Sequence, residues 1–123
     1  PDPLKQTLPL PLVFSKLSTS SVSGNPMYAV IFLATMKEPD AEYSSTAERM
    51  RNLAFSKYGC KDFRSCTEGN NEIAISYWDS KDQITAWKND PEHKLAQELG
   101  AKKWYKSYKV QVVELLGEYE SNI

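Results

Sequence analysis

Residues 27–36, Met-Tyr-Ala-Val-Ile-Phe-Leu-Ala-Thr-Met, are apolar almost throughout and rich in β-branched and aromatic side chains. A run of this kind with few polar groups is typical of a β-strand that is buried on both faces. Because side chains alternate across a strand, Tyr28, Val30 and Phe32 should share one face and the residues between them the other. We therefore expect a sheet that is covered on two sides.

A helix and a more polar strand are predicted after this first strand. Pro39-Asp40 offers an N-cap, and apolar residues then recur at helical spacing, at Tyr43, Ala47, Met50 and Ala54. The helix should run to about Lys57 and end at Gly59, since glycine favours a helix C-terminus. Residues 60–68 follow as a strand that we expect to be half exposed.

A hairpin and two short helices are predicted next. Gly69-Asn70-Asn71 is a hairpin-type turn, and residues 72–78 have the composition of a strand. Asp79 or Ser80 can then cap a short helix.

The second of these helices should begin at Asp90-Pro91, because Asp suits the N-cap and Pro the first helical position. It places Leu95 and Leu99 on one stripe and should end between Gly100 and Trp104.

The last predicted strand covers about Tyr105 to Tyr119. Its alternation of apolar residues changes phase between Val112 and Val113, which is what a β-bulge produces. A bulged strand of this length could serve two sheets, one in its own subunit and one in a partner.

The predicted order of elements is β-α-β-β-α-β, which is the ferredoxin-like arrangement of an α+β fold. It gives a four-stranded antiparallel sheet with helices on one face. The other face is apolar and must be covered, so we expect a homodimer that forms through the open sheet face and the C-terminal strand.

Residues 1–26 differ in composition from the rest of the chain. Prolines punctuate them, and residues 18–24 form a Ser-rich linker. They are either a leader in front of Met27 or a natural arm, and we expect no signal peptide because prolines break their apolar run. The domain should cover residues 27–119, with residues 120–123 as a tail.

Charge and cysteine content indicate which classes of partner and compartment to expect. The formal net charge is −1, whereas nucleic-acid binding favours a strongly basic face, so we expect no nucleic-acid partner. No apolar run approaches the roughly 20 residues of a membrane span, so we expect no membrane partner either. If Cys60 and Cys66 lie on one extended strand, they are about 20 Å apart, too far for a disulfide. Two free thiols favour a reducing compartment, so we expect a cytoplasmic protein.

Several short stretches of the second half resemble a bacterial branch of the antibiotic-biosynthesis-monooxygenase family. They are Ser76-Tyr77-Trp78-Asp79-Ser80, Ala86-Trp87-Lys88, Asp90-Pro91-Glu92-His93, Ala96-Gln97, Gly100 and Trp104-Tyr105-Lys106-Ser107-Tyr108. The resemblance runs from about Met27 to Tyr119. It implies a dimeric α/β barrel with a ligand cavity between sheet and helices. The chain departs from many relatives at Tyr58-Gly59-Cys60, where they have Pro-Gly-Phe.

His93 is the candidate catalytic base, because it is the only side chain that titrates near neutrality. It is also explained as an ordinary polar residue in the first turn of its helix. The candidate substrate pocket comprises aromatic residues that could equally be packing residues: Tyr77, Trp87, Trp104 and Tyr108. The sequence has no phosphate-binding glycine loop, nucleotide fingerprint or metal-ligand spacing, so we expect no cofactor and no metal.

The resemblance implies a cofactor-independent monooxygenase that acts on a small aromatic or quinone-type compound. The alternative is a non-enzymatic dimeric protein that binds a small molecule or is associated with stress. A haem-degrading monooxygenase is disfavoured by the residues themselves. In haem-degrading relatives a His ten positions after the Trp ligates iron, and here that position is Gln97; the Asn that faces haem from the first strand is absent from residues 27–36.

Overall fold

The computed structural model describes residues 27–122, which form four strands and three α-helices. In chain order these are β1 (Met27–Met36), α1 (Ala41–Lys57), β2 (Asp62–Glu68), β3 (Asn71–Trp78), α2 (Lys81–Lys88), α3 (Pro91–Leu99) and β4 (Tyr105–Leu115), with a π-helical turn at Gly100–Trp104 before β4. The sheet has the order β2-β3-β1-β4, and every neighbouring pair is antiparallel. The ferredoxin-like α+β fold predicted from the element order is therefore confirmed.

Local sequence signals set most of the element ends. The Asp40 side chain accepts a hydrogen bond from the backbone N–H of Tyr43 at the start of α1, and Ser80 accepts one from Gln83 at the start of α2. These side chains satisfy backbone donors that a helix N-terminus leaves free. Gly69 has φ +57° in the two-residue turn between β2 and β3, a backbone conformation that glycine adopts without strain.

The two faces of the sheet differ in what covers them. Val30 pairs with Ser76 and with Val112, and these residues lie on the face against which the helices pack, called the helix-side face below. Ile31 pairs with Ile75, and these side chains lie on the opposite face, called the open face. The predicted division of the first strand into two faces is thus confirmed.

Three expectations about the strands need correction. The second strand begins at Asp62 rather than at residue 60, and the last strand ends at Leu115 rather than at Tyr119. The bulge predicted between Val112 and Val113 is wrong: pairing with β1 is regular there, and the shift lies beside Lys106. Because both faces of β4 carry apolar residues, the alternation of apolar positions changes along the sequence although the strand pairs regularly there.

The predicted stripe on α3 is also only half correct. Leu99 packs against buried residues of the core, but Leu95 is 58% exposed. None of the nine residues of this helix is fully buried, and Leu99 is the leucine that contacts the core.

The core consists of two clusters at different ends of the sheet. The first cluster comprises Val30, Ala54, Cys60, Trp78, Ile84 and Trp87. The second comprises Ala34, Met36 and Trp104, with Tyr43 and Tyr105 packed against it. Within residues 27–122, no helix is long and apolar enough to cross a membrane.

Candidate functional site

A cavity of about 1000 Å³ lies between the helix-side face and the helices. It has the size and the largely apolar lining that are typical of small-molecule sites. Its wall includes aromatic side chains from strands and helices: Phe32, Tyr43, Phe55, Phe63, Trp87 and Tyr105. Tyr108, Val110 and Val112 of β4 line it as well and are about half exposed, so the cavity meets solvent along this strand.

The first turn of α3, which carries His93, is held firmly in place. Asp90 is 5% exposed; its side chain accepts hydrogen bonds from the backbone N–H of Glu92 and from the hydroxyl of Tyr58. Arg49 of α1 donates two hydrogen bonds to the carboxylate of Glu92, at 2.7 and 2.8 Å. A bidentate pair of this kind fixes orientation as well as distance.

The imidazole of His93 lies in the wall of the cavity, edge-on to the indole of Trp87 with ring centroids 4.4 Å apart. Trp87 is itself fixed, because its indole N–H donates to the backbone oxygen of Met50 and its ring packs on Trp78. Burial lowers the pKa of His93, since the charged imidazolium loses more solvation than the neutral ring; the nearby charge of Asp90 opposes this shift. Near pH 7 the ring is therefore neutral.

The amide of Gln97 determines what the neutral imidazole can do. Its Nε2 lies 2.7 Å from Nδ1 of His93. When the amide donates to Nδ1, the imidazole proton resides on Nε2, and the ring can donate a hydrogen bond to a ligand. When the amide presents its oxygen instead, Nδ1 carries the proton and Nε2 is free to act as a base. Gln97 is thus a direct partner of His93.

A second polar pair lies elsewhere in the cavity wall. The phenol of Tyr43, on α1, donates a hydrogen bond to Oε2 of Glu72, the second residue of β3. The Tyr43 ring is edge-on to Trp104 at 5.2 Å and to Tyr105 at 6.0 Å. Burial, together with Glu72, raises the pKa of Tyr43 far above its usual range, so its phenol stays protonated.

Four of the five residues that the sequence singled out lie in this cavity wall. They are His93, Trp87, Trp104 and Tyr108. Tyr77 does not, because it pairs with Ala29 and Asp62 on the open face.

Sequence reasoning missed Tyr43 and Glu72 as site residues. Tyr43 was assigned to the apolar stripe of its helix. Strict alternation along residues 72, 74, 76 and 78 could have placed Glu72 on the same face as buried Trp78, as an inward-facing carboxylate.

The turn between α3 and β4 also shapes the cavity. At Gly100 a side chain would collide with the ring of Tyr105, so the absence of a Cβ lets this ring lie against the backbone. Burial raises the pKa of Tyr105, which keeps a second neutral phenol in the wall.

The family of the chain is shown by a related protein, since no model of a protein family matches the chain. It is 43% identical over 91 residues to the uncharacterised protein YqjZ of Bacillus subtilis, a match that covers 73% of this chain and 80% of that protein.

Solved structures with the same fold are more distant in sequence. SnoaB of Streptomyces nogalater, described as a cofactor-independent oxygenase, superimposes with a TM-score of 0.61 at 14% identity, over 71% of this chain and 90% of its own. A Bacteroides fragilis protein described as dimeric, with a ferredoxin-like fold and unknown function, has a TM-score of 0.57 at 19% identity, over 72% and 96%. At such identities the likeness is one of fold. The chain therefore belongs to the family of Bacillus subtilis YqjZ, and its fold is that of the antibiotic-biosynthesis-monooxygenase-like proteins.

Proposed function

We propose that the protein is a cofactor-independent monooxygenase that acts on a small aromatic or quinone-type compound. The observation that carries the proposal is the position of His93, a neutral imidazole in the wall of an aromatic cavity. A flat, electron-rich ligand fits an aromatic wall, and a neutral imidazole at that wall is able to take its proton when the amide of Gln97 presents its oxygen to Nδ1 and leaves Nε2 free.

The proposed reaction needs only the substrate and dioxygen. His93 removes a proton from the carbon of an anthrone-type substrate, and the electrons of the C–H bond remain as a carbanion. The carbanion reduces dioxygen and bonds to one of its oxygen atoms, and the peroxide formed takes back the proton from His93. Loss of the second hydrogen of that carbon then breaks the O–O bond, so that the outer oxygen leaves as water and a carbonyl group remains. The protein has to hold the ring, exclude bulk water and stabilise the anion.

The likeness to SnoaB supports this proposal at the level of fold, because that protein is described as a cofactor-independent oxygenase. The firmer support is local. Gln97 contacts the imidazole of His93 directly, and the Trp87 indole packs against it. Asp90 and Arg49 bind Glu92, the residue before His93, and so hold the first turn of α3.

We further propose that a second copy of the chain covers the open face. Ile31, Ile75 and Val113 lie on this face, and Val113 is 38% exposed within residues 27–122. An exposed apolar patch on a sheet face is typical of a surface that another protein chain covers. The Bacteroides fragilis protein of the same fold is described as dimeric, which supports the same arrangement here.

Oxygen uptake with anthrone and hydroquinone substrates tests the proposed reaction. We expect His93→Ala to lower the rate of oxygen uptake by at least about 100-fold, because general-base catalysis contributes this much or more. Lys94→Ala, at the next and exposed position of α3, is the matched control and should keep the rate.

Two results would contradict the proposal. If His93→Ala consumes oxygen as fast as the unmodified protein, His93 is not the base. If the unmodified protein binds these compounds but never exceeds the uncatalysed rate, the alternative of a non-enzymatic binding protein is correct.

A further inference from the structure

Two polar groups of the cavity wall, those of His93 and Glu72, lie towards opposite ends of β3. Trp87, which contacts His93, packs on Trp78 at the C-terminal end of this strand. Glu72 lies near its N-terminal end, six residues earlier. His93 and Glu72 lie in the wall of the same cavity, so a flat ligand that contacts His93 with one end can extend towards Glu72 with the other.

The carboxylate of Glu72 retains a free acceptor atom. Its Oε2 accepts the hydrogen bond from Tyr43, and within residues 27–122 no donor bonds to its Oε1. Tyr43 cannot supply a hydrogen to an incoming group, because its phenol stays protonated and its one hydrogen is already donated to Glu72. A partner that approaches this pair must therefore bring a hydrogen of its own.

The surroundings of Glu72 make a hydrogen bond to it valuable. Tyr43 packs against Trp104 and Tyr105, and all of them line the cavity, so apolar rings limit the access of water. Hydrogen bonds to a charged group are stronger where water competes less. The same end of the cavity thus holds a free carboxylate oxygen, which suits a group that donates a hydrogen bond, such as a hydroxyl group.

We infer that Glu72, supported by Tyr43, is a second binding site within the cavity, which takes a hydroxyl group on the end of the aromatic ligand remote from His93. The inference rests on the proposed aromatic ligand. It adds the orientation of that ligand in the cavity and the requirement that its far end can donate a hydrogen bond. A methyl ether at that end can accept a hydrogen bond but cannot donate one to Glu72. A carboxylate there meets the like charge of Glu72 and is repelled.

The test compares two probes with the same rings, 2-hydroxyanthracene and 2-methoxyanthracene, by titration of their own fluorescence. We expect the unmodified protein to bind the hydroxyl probe at least about tenfold more tightly, as is typical for a hydrogen bond to a charged group. Glu72→Gln and Glu72→Ala should remove most of this preference. Glu98→Gln is the matched control, because it removes an equal charge from an exposed position of α3 outside the cavity wall and should keep the preference.

A ratio of two affinities in one protein separates binding chemistry from folding. A variant with a partly unfolded population loses affinity for both probes alike, and its ratio stays the same. If both probes bind the unmodified protein equally, or if the preference persists in both Glu72 variants, the second site is wrong and the proposed monooxygenase is untouched. If neither probe binds the unmodified protein, the second site and the proposed ligand class both fail.

Discussion

Replacing Trp78 by alanine should lower the free energy of unfolding by about 3–5 kcal/mol, the usual cost of removing a large buried aromatic side chain. Trp78 is 0% exposed in the first core cluster and packs on Trp87 with ring centroids 5.1 Å apart. Its indole N–H donates to Oγ of Ser76 at 2.8 Å, and Ser76 is buried as well. The substitution therefore creates a cavity and removes a hydrogen-bond donor from a buried hydroxyl.

This loss is a large fraction of the 5–15 kcal/mol that typically stabilises a small domain. Urea denaturation measures it directly. Leu95→Ala is the matched control, because Leu95 is a large apolar side chain that is 58% exposed, and its loss should cost less than about 1 kcal/mol. If Trp78→Ala costs no more than Leu95→Ala, the first core cluster does not stabilise the fold as described.

Replacing Ile31 by arginine should convert the proposed dimer into a monomer. Ile31 lies in the middle of β1 on the open face, beside Ile75 of β3 and Gln111 of β4. In a dimer that forms through this face, each subunit would bury an unpaired guanidinium group, which is costly. We expect dissociation to become easier by at least about 100-fold, which sedimentation at micromolar concentrations detects.

Leu95→Arg is the control for this experiment, since it adds the same charge on α3, away from the open face. It should leave the sedimentation behaviour unchanged. A dimer that persists in Ile31→Arg would show that another surface holds the subunits together. An unmodified protein that sediments as a monomer would contradict the dimer altogether.

The fold was predictable because its signals are local. Asp40 and Asp90 could be recognised as N-caps because a proline stands next to each of them in the sequence. Gly59, with φ +81°, follows the C-terminus of α1 as expected. The position of the bulge was not predictable, because it depends on how β4 pairs with β1 beside Met36. Apolar residues on both faces of β4 hide its register in the sequence.

The site was predictable in part for the same reason. His93 and Trp87 are six residues apart on successive helices, so a short motif contains both. Tyr43 and Glu72 are 29 residues apart on a helix and a strand, and only the packing of α1 on the sheet brings them together. Tyr77 is the opposite case, since it was expected in the pocket but does not line it. It is one residue from Trp78 on the same strand, and a one-residue difference in position places a side chain on the other face of a sheet.

We expect an aromatic ligand to lie against a neutral His93, and nuclear magnetic resonance of the imidazole tests this contact most directly. His93 is the single histidine of the chain, so its ring gives one set of resonances. We predict a ring that is neutral at pH 7, with a pKa below the ordinary value of about 6.5, and resonances that shift until saturation as 2-hydroxyanthracene is added. Resonances that do not move when the ligand binds, or a pKa at or above 6.5, would contradict it.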